Sequence, residues 1–541
     1  MSRLPENRVS APSSWAGGPP WLSIVLIAAV VIVLAFIPMP FNIGILVAPV
    51  AVIVLLLNPI LLVLGLVISV PVQDVVPLPE DVPITVTRVF FGAALLLLPL
   101  ILIRRQTPIR WSWILASVLG LMGAMLVSLL NAGDLGSSFE ELYRWFVALV
   151  AIWLTLQFLE TRRHIVIGLA LIAILAIAQG GLGLGQAITG AGPSSFQIGA
   201  GFSRAFGTFG MPNSFAAYME MVTLPLIPLS IWAGVRASAH VREYLRVRPS
   251  GFLASKELRS RAIVSSALFA LFGIGMIIGL SAIAVSFSRG GWVGTIAGIA
   301  VIVILLGQRA ILTTAVSALL LTFGLLIGAS GAILTVIEER FVQLVDQVRI
   351  GDVRGMPVTD DNFAAIERMS HWQTAIAMWD QSPWLGVGVG NFDDRFTEFA
   401  VHPQFSDSQG HAHNYYLHLL AETGLLGLAA YVVLAITVLV VGWRAYRHPD
   451  ALSRAIGIGV LGTTTALLVH NIFENLHVLN ITVQMGFLWA IAILVTRLPS
   501  EEGDTADESP SVHSPAMQYD SEGRNERSQD LRPSVSVREH N

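Results

Sequence analysis

Apolar runs about as long as a bilayer is thick recur along most of this sequence. Trp21 to Ile37 and Ile263 to Ser286 are two of them, each near the roughly 20 helical residues that cross a hydrocarbon core. Backbone amides in hydrocarbon must be satisfied within their own segment. The runs are also continuous rather than alternating, so they read as helices and not as barrel strands. Composition agrees: 54% of the 541 residues are hydrophobic and only 13% are charged, against about 25% charged in a soluble chain. The predicted fold class is all-α, a polytopic integral membrane helix bundle of about 12–14 transmembrane helices.

Polar and Pro/Gly breaks put spans near 21–38, 42–57, 59–72, 86–103, 111–130, 143–159 and 165–188. Seven more follow near 212–234, 263–286, 291–307, 311–333, 414–442, 453–471 and 480–496. The 59–72 segment is short enough to be re-entrant or kinked. Pro38-Met39-Pro40 after the first span lacks the small-residue pattern of a signal cleavage site, so that span is read as retained. Basic residues collect in alternate loops: Arg104, Arg105 and Arg110; Arg162 and Arg163; Arg236 to Arg261; Arg309; Arg444 and Arg447; and Arg497. Short loops rich in Arg and Lys stay in the cytoplasm. The opposite loops carry Asp74, Glu80, Asp81, Asp134, Glu140 and Glu141 and therefore face outward, with both termini inside. The net charge of −4 offers no basic stripe for nucleic acid. The absence of cysteine removes disulfides, thiolate metal sites and a cysteine nucleophile.

One outer connection, Glu338 to Ala412, far exceeds the length of an ordinary loop. Its aromatic residues, among them Phe341, Phe363, Trp372, Trp379, Trp384, Phe392, Phe396, Phe399 and Phe405, suit a small folded core. Ile366, Met369, Trp372 and Ile376 recur at helical spacing, which predicts a helix over Phe363 to Trp379, with a turn over Pro383 to Gly390. This ledge is the natural docking place for an acceptor.

Three polar constellations fall on the outer side. Gly201 to Asn213 contains Arg204, an arginine outside the positive-inside pattern, among glycines and ahead of Pro212 at a helix start; the competing reading is a snorkelling arginine at the membrane edge. Ser286 to Trp292 holds Arg289 in a tight turn. A guanidinium there is permanently charged and matches phosphate oxygens in a bidentate fork, so two outward arginines suggest a diphosphate or carboxylate site; non-specific contact with lipid phosphate is the alternative. The third is His411 to Gly424, where Asn414, His418 and Glu422 share one helix face and a histidine suits proton abstraction near neutrality. A metal held by His411 and His413 is the rival there, but i, i+2 histidines without a clear carboxylate set make a weak ligand pattern. His470, Asn471, Glu474 and His477 form a fainter cluster, read as interfacial polar residues. Gly181-Leu-Gly183-Leu-Gly185 reads as a helix-packing face. Gly386-Val-Gly388-Val-Gly390 lacks the strand, helix and lysine of a phosphate-binding loop.

The expected organisation is a cytoplasmic segment 1–20, transmembrane helices 21–188, helices bearing the arginine motifs 189–337, the outer loop 338–412, helices with the histidine motif 413–497, and a disordered cytoplasmic tail 498–541.

Four motifs in order carry a family resemblance: Arg204-x-x-Gly207-Thr-Phe-Gly210-x-Pro-Asn213, Ser288-Arg289-Gly290-Gly291-Trp292, Gly386-Val-Gly388-Val-Gly390-Asn391-Phe392, and His413-Asn414-x-x-Leu417-x-x-Leu420-Ala421-Glu422-x-Gly424-x-x-Gly427-Leu428. Over about 190 to 475 the chain resembles the O-antigen ligase and O-antigen polymerase family. The resemblance implies a metal-independent membrane glycosyltransferase of C-type architecture, without cofactor or nucleotide, in the cytoplasmic (inner) membrane. It would work on the periplasmic or extracellular side in cell-surface polysaccharide or lipopolysaccharide biosynthesis. The donor would be a glycan on a polyprenyl diphosphate such as undecaprenyl diphosphate, and the acceptor a glycan, lipid or protein hydroxyl. Arg204 and Arg289 would bind the diphosphate, and His413 would activate the acceptor. Asn213, Asn414, His418 and Glu422 would support them, Glu422 as an orienter of His413 or of the acceptor. The alternative is a transporter or flippase of lipid-linked sugars, which should set ionisable residues near the midplane; Glu220 is the candidate for that.

Overall fold

The computed structural model describes residues 52–73, 85–105, 108–199, 202–247, 252–308, 351–359 and 362–497. The spans expected at 21–38 and 311–333, most of 42–57, and the 498–541 tail lie outside the described residues, as do Glu338 to Ile350 of the long connection. Within them the chain is helical: α1 Ile60–Val72, α2 Val86–Arg105, α3 Trp113–Ser128, α4 Leu135–Phe158, α5 Arg162–Thr189, α6 Pro212–Thr223, α7 Leu226–Val247, α8 Phe252–Val285, α9 Arg289–Leu306, α10 Phe363–Gln381, α11 Phe392–Phe399, α12 Tyr415–Tyr446, α13 Ala451–His470 and α14 Ile481–Val495. The only described strands are β1 Gln197–Gly199 and β2 Phe202–Ser203, a two-stranded antiparallel ribbon. Eight stretches among the described residues are long and apolar enough to span a membrane. The protein is an all-α, multi-pass membrane protein.

Side chains at the helix starts explain where the helices begin. Ser112, Asp134, Thr161, Ser288, Asn414 and Asp450 each occupy an N-cap and accept a backbone N–H of the first turn, satisfying donors that have no intrahelical partner. The Asp134 cap starts α4 eight residues before the apolar stretch that marks its span. Its first turns carry Glu141 and Arg144, which pair three residues apart and hide the helix from a hydropathy reading. The single span expected at 212–234 is two helices, because Pro225 interrupts the hydrogen-bond ladder between α6 and α7.

Helices α13 and α14 form the centre. Every residue of α14 is buried, packed against α4, α12 and α13. Helix α9 packs closely on α13 because glycines face each other: a Cβ on Gly298 would stand 2.7 Å from the Gly462 carbonyl, and one on Gly294 2.7 Å from the Ala466 carbonyl. Backbone approach of this kind is what small residues provide in membrane bundles. It brings the N-terminus of α9 beside the C-terminus of α13. At the opposite end of the bundle, Arg162 of α5 bonds Asp450 of the α13 cap at 2.8 Å, and Arg497 reaches the Trp111 carbonyl at 2.9 Å.

The described part of the long connection is folded. Helix α10 covers the segment predicted as helical, and Phe392 and Phe396 of α11 bury themselves with Ala375, Met378 and Ala412, while Val353, Ile366 and Phe405 make a second small cluster. Trp384 and Phe363, counted among the core candidates, are instead exposed. The 386–390 turn has positive φ at Gly386, Gly388 and Gly390 and is a docking clip: Val387 and Gly388 donate to the carbonyls of Ala421 and Glu422 at 2.8 and 2.9 Å. Of the 181–185 glycines, Gly183 is a packing position against Phe215, while Gly181 and Gly185 face open space.

Candidate active site

The functional side chains meet at one end of the bundle, where α8, α10 and α13 finish or cross and α6, α9 and α12 begin. Two arginines arrive on adjacent turns. Arg204 follows β2 and is anchored by its Nε to the Ser286 carbonyl at 3.0 Å. Arg289 is the first residue of α9, whose N-cap Ser288 accepts from Gly291 N at 3.2 Å. The turn between α8 and α9 is tight enough to hold Phe287 at φ 49°, a left-handed conformation that a bulky side chain adopts only under constraint. Both arginines line a narrow cavity of about 40 Å³, together with Asn213, Ser288, Gly290, Arg368, His470 and Glu474. That space suits the oxygens of a phosphoryl group or a few waters rather than a sugar ring.

Glu474, in the connection between α13 and α14, joins this cavity to the histidines. One carboxylate oxygen accepts from Asn213 Nδ2 at 2.5 Å, and Asn213 in turn accepts from Arg204 Nη2 at 3.2 Å. The other oxygen lies 3.3 Å from His413 Nδ1 and 3.3 Å from His411 Nε2. Burial alone would raise the Glu474 carboxyl, but His411, the His413 hydrogen bond and nearby Arg368 outweigh it and hold it well below the usual carboxylate range. Glu474 is therefore an anion at neutral pH.

The tautomers follow from the backbone. His413 N donates to His411 Nδ1 at 3.1 Å, so that nitrogen of His411 is unprotonated and its Nε2 carries the hydrogen that faces Glu474. Burial pushes His411 down to about 4, which keeps it neutral near pH 7. His413 gives its Nδ1–H to the carboxylate, which leaves the Nε2 lone pair for a substrate. His413 itself sits at φ 52°, one residue before the α12 cap, so its side chain departs from the phase of the helix that follows. Trp372 of α10 donates to the His413 carbonyl at 3.4 Å, and the ring of His371 stands edge-on to that of His413, centroids 5.4 Å apart.

His411 Nε2, His413 Nδ1 and Glu474 Oε1 all lie within 4.8 Å of one another, a set that could hold a cation among the described residues. Both histidine nitrogens are engaged as donors to the carboxylate, so a metal there would first have to displace two protons.

The other sequence candidates lie apart from this centre. Asn414 caps α12, accepting from Leu417 N at 3.1 Å. His418 and Glu422 are buried side by side, 3.6 Å apart, and Glu422 accepts from Phe392 N at 3.1 Å. Glu422 thus fastens the 386–392 segment to α12 and is not the carboxylate that meets His413. The reason is phase: His418 and Glu422 meet Phe392 at the end of the clip, whereas His413 precedes the helix. Sequence reasoning grouped Glu474 with His470 in a cluster read as bland, and Arg368 was missed. Its signal was an arginine in the middle of the aromatic-rich segment expected to face outward.

Residues 274–432 match the family model described as O-antigen ligase. Over this stretch the chain is similar to the O-antigen ligase family. The matched region runs from within α8 through Arg289, the long connection with Arg368, His413 and the first half of α12, and so contains His413 and two of the three arginines of the site. Arg204, Asn213, His470 and Glu474 lie outside it. No curated protein matches the chain.

Proposed function

We propose that this protein is an O-antigen ligase-type glycosyltransferase that moves a glycan from a polyprenyl diphosphate, such as undecaprenyl diphosphate, to an acceptor hydroxyl at the outer face of the membrane. What supports this reading is one observation above the others: Arg204, Arg289 and Arg368 line a single narrow cavity whose wall, Glu474, also holds the imidazole of His413. An anion site and an oriented base share one carboxylate. The three guanidiniums bind the diphosphate in their fork geometry and stabilise the charge that develops on it as it leaves. His413 Nε2 accepts the proton of the acceptor hydroxyl as its oxygen bonds to the anomeric carbon and the bond to the diphosphate oxygen breaks. A positioned base of this kind adds about 10²- to 10⁴-fold, and the activated donor supplies the driving force without nucleotide. The chemistry needs no metal, since diphosphate is a good leaving group and the cations are supplied by arginine. A single displacement inverts the anomeric centre.

The test combines purified protein with lipid-linked glycan and candidate hydroxyl acceptors, with and without a chelator. Wild type transfers glycan in both; Arg289→Ala and His413→Ala lose at least ~10²-fold, and Glu474→Gln loses ~10-fold or more in kcat by releasing the imidazole. Undiminished transfer by His413→Ala removes the base assignment, loss with chelator removes the metal-free mechanism, and retention at the anomeric carbon removes the single displacement. A ladder of products marks a polymerase and a single addition a ligase.

A further inference from the structure

His470 ends α13 with its side chain fully buried, and its two ring nitrogens have opposite surroundings. Nδ1 lies 3.0 Å from Oε2 of Glu220, itself fully buried on α6. The other oxygen of Glu220 accepts from Thr295 Oγ1 of α9 at 3.2 Å. Nε2, by contrast, is buried without a hydrogen-bond partner. His470 is one of the residues that line the cavity of Arg204, Arg289 and Arg368. Space for that edge comes from Gly290: a Cβ there would stand 2.6 Å from His470 Cδ2 and 3.0 Å from Nε2. One turn along, a Cβ on Gly294 would stand 2.8 Å from Oε1 of Glu220. A buried ring nitrogen without a partner requires an explanation, and here its residue lines a cavity that three arginines share.

Proton counting fixes what this nitrogen offers. If Glu220 is ionised and the imidazole is protonated, Nε2 carries a hydrogen. If instead the carboxyl keeps its proton and gives it to Nδ1 as a hydrogen bond, the neutral ring again carries its hydrogen on Nε2. Nε2 is a bare lone pair when the dyad as a whole is negative, which puts an uncompensated charge in the bundle and beside the bound anion, or when a neutral carboxyl carries its proton on Oε1, where it would compete with the hydrogen bond from Thr295. The two electroneutral arrangements that keep the Thr295 bond make Nε2 a donor.

We propose that His470, aligned by Glu220 and Thr295, is a diphosphate ligand, its Nε2–H donating to a phosphate oxygen of the lipid-linked donor beside the arginines. This rests on the glycosyltransferase reading for the identity of the anion, though the anion site itself does not depend on it. The role is one of binding: it acts on the donor and leaves the acceptor side untouched.

Two substitutions separate a ligand from a structural residue. His470→Asn keeps an amide at the level of Nδ1, so the bond to Glu220 survives and the Nε2 donor is lost; His470→Gln presents an amide near Nε2 and gives up the Glu220 bond. In full-length protein in detergent, the readouts are KM for donor and acceptor, inhibition by inorganic pyrophosphate, and the melting temperature. We expect His470→Asn to raise the donor KM and weaken pyrophosphate inhibition by ~10- to 100-fold with the acceptor KM unchanged, and His470→Gln to recover most of that loss. The opposite order, with Asn wild-type-like and Gln impaired in proportion to its lost melting temperature, overturns the proposal, as do donor KM values within twofold of wild type for both. If wild type transfers no glycan from any polyprenyl-diphosphate donor, the glycosyltransferase reading fails. Direct pyrophosphate binding to wild type and the two variants then decides the role of His470 by itself, and equal binding by all three refutes it.

Discussion

Glu474 accepts hydrogen bonds or close approaches from Asn213, His411, His413 and the Asn475 N–H, which links arginine and histidine into one polar network. A buried network of this kind makes its members sensitive to proton uptake. Burial pushes His411 and His371 down to about 4, and His477 to about 3, below the ~6.5 of an unfolded chain. The unfolded state therefore binds more protons between those values, and stability falls as pH drops through the window from ~6.5 to about 4. The depressed Glu474 carboxyl adds stability above its unfolded value and loses it only at more acid pH. Thermal unfolding in detergent should shift to lower temperature from pH 7 to pH 5, with a shallower slope in His411→Gln; a flat profile would contradict the burial of these rings. Arg204 and Arg289 were legible as exceptions to the charge pattern, and His413 as part of the polar stretch that follows the long connection. Glu474 was not, because nothing in a linear sequence says that a carboxylate 61 positions beyond His413 comes to lie against it.

Helix α12 shows how an element is shaped by what docks on it. Gly424 interrupts it at φ 62°, and a Cβ there would lie 2.3 Å from the Trp384 carbonyl carbon. Across the same contact Gly386 at φ 66° would place a Cβ 2.4 Å from the Ala421 carbonyl oxygen. The two glycines let the 383–390 clip pass against the helix backbone and satisfy groups freed at the break: the Ala421 and Glu422 carbonyls accept from the clip, and Leu425 N donates to the Pro383 carbonyl at 2.9 Å. Gly424→Ala meets both the left-handed penalty of about 1–2 kcal/mol and a backbone clash. It should lower stability by at least about 2 kcal/mol and loosen the long connection, read as a lower melting temperature and faster limited proteolysis between α10 and α12. Wild-type values for both would mean that the clip does not bear on the helix. Hydropathy registered this region as one continuous span, since a glycine in an apolar run carries no mark of its φ.

At the scale of the whole molecule, the polar site occupies one end of the bundle and the Arg162, Asp450 and Arg497 contacts the other. The topology proposed from the charge pattern has the site end facing outside. Because the chain has no cysteine, it is its own background for labelling. Gln409→Cys, exposed in the long connection, should react with a membrane-impermeant maleimide on intact spheroplasts or cells with a permeabilised outer layer, while Ala451→Cys, exposed at the start of α13, should react only after lysis. The reverse pattern would invert the topology and move the proposed transfer to the cytoplasmic side.

The sequence by itself determined the all-α membrane class, because a scarcity of charge over runs of bilayer length admits few other folds. It also marked two arginines and a histidine, because a charge on the uncharged side of a membrane protein stands out. Tertiary structure alone decided the partners of those residues: Glu474 rather than Glu422 beside His413, Arg368 in the cavity wall, and Glu220 behind His470. Each of these contacts joins segments far apart in the chain, and the cavity they border lies where glycines on α9 let that helix close on α13. Apolar patterning tells which residues avoid water; which buried polar groups find one another depends on how closely the helix backbones pack.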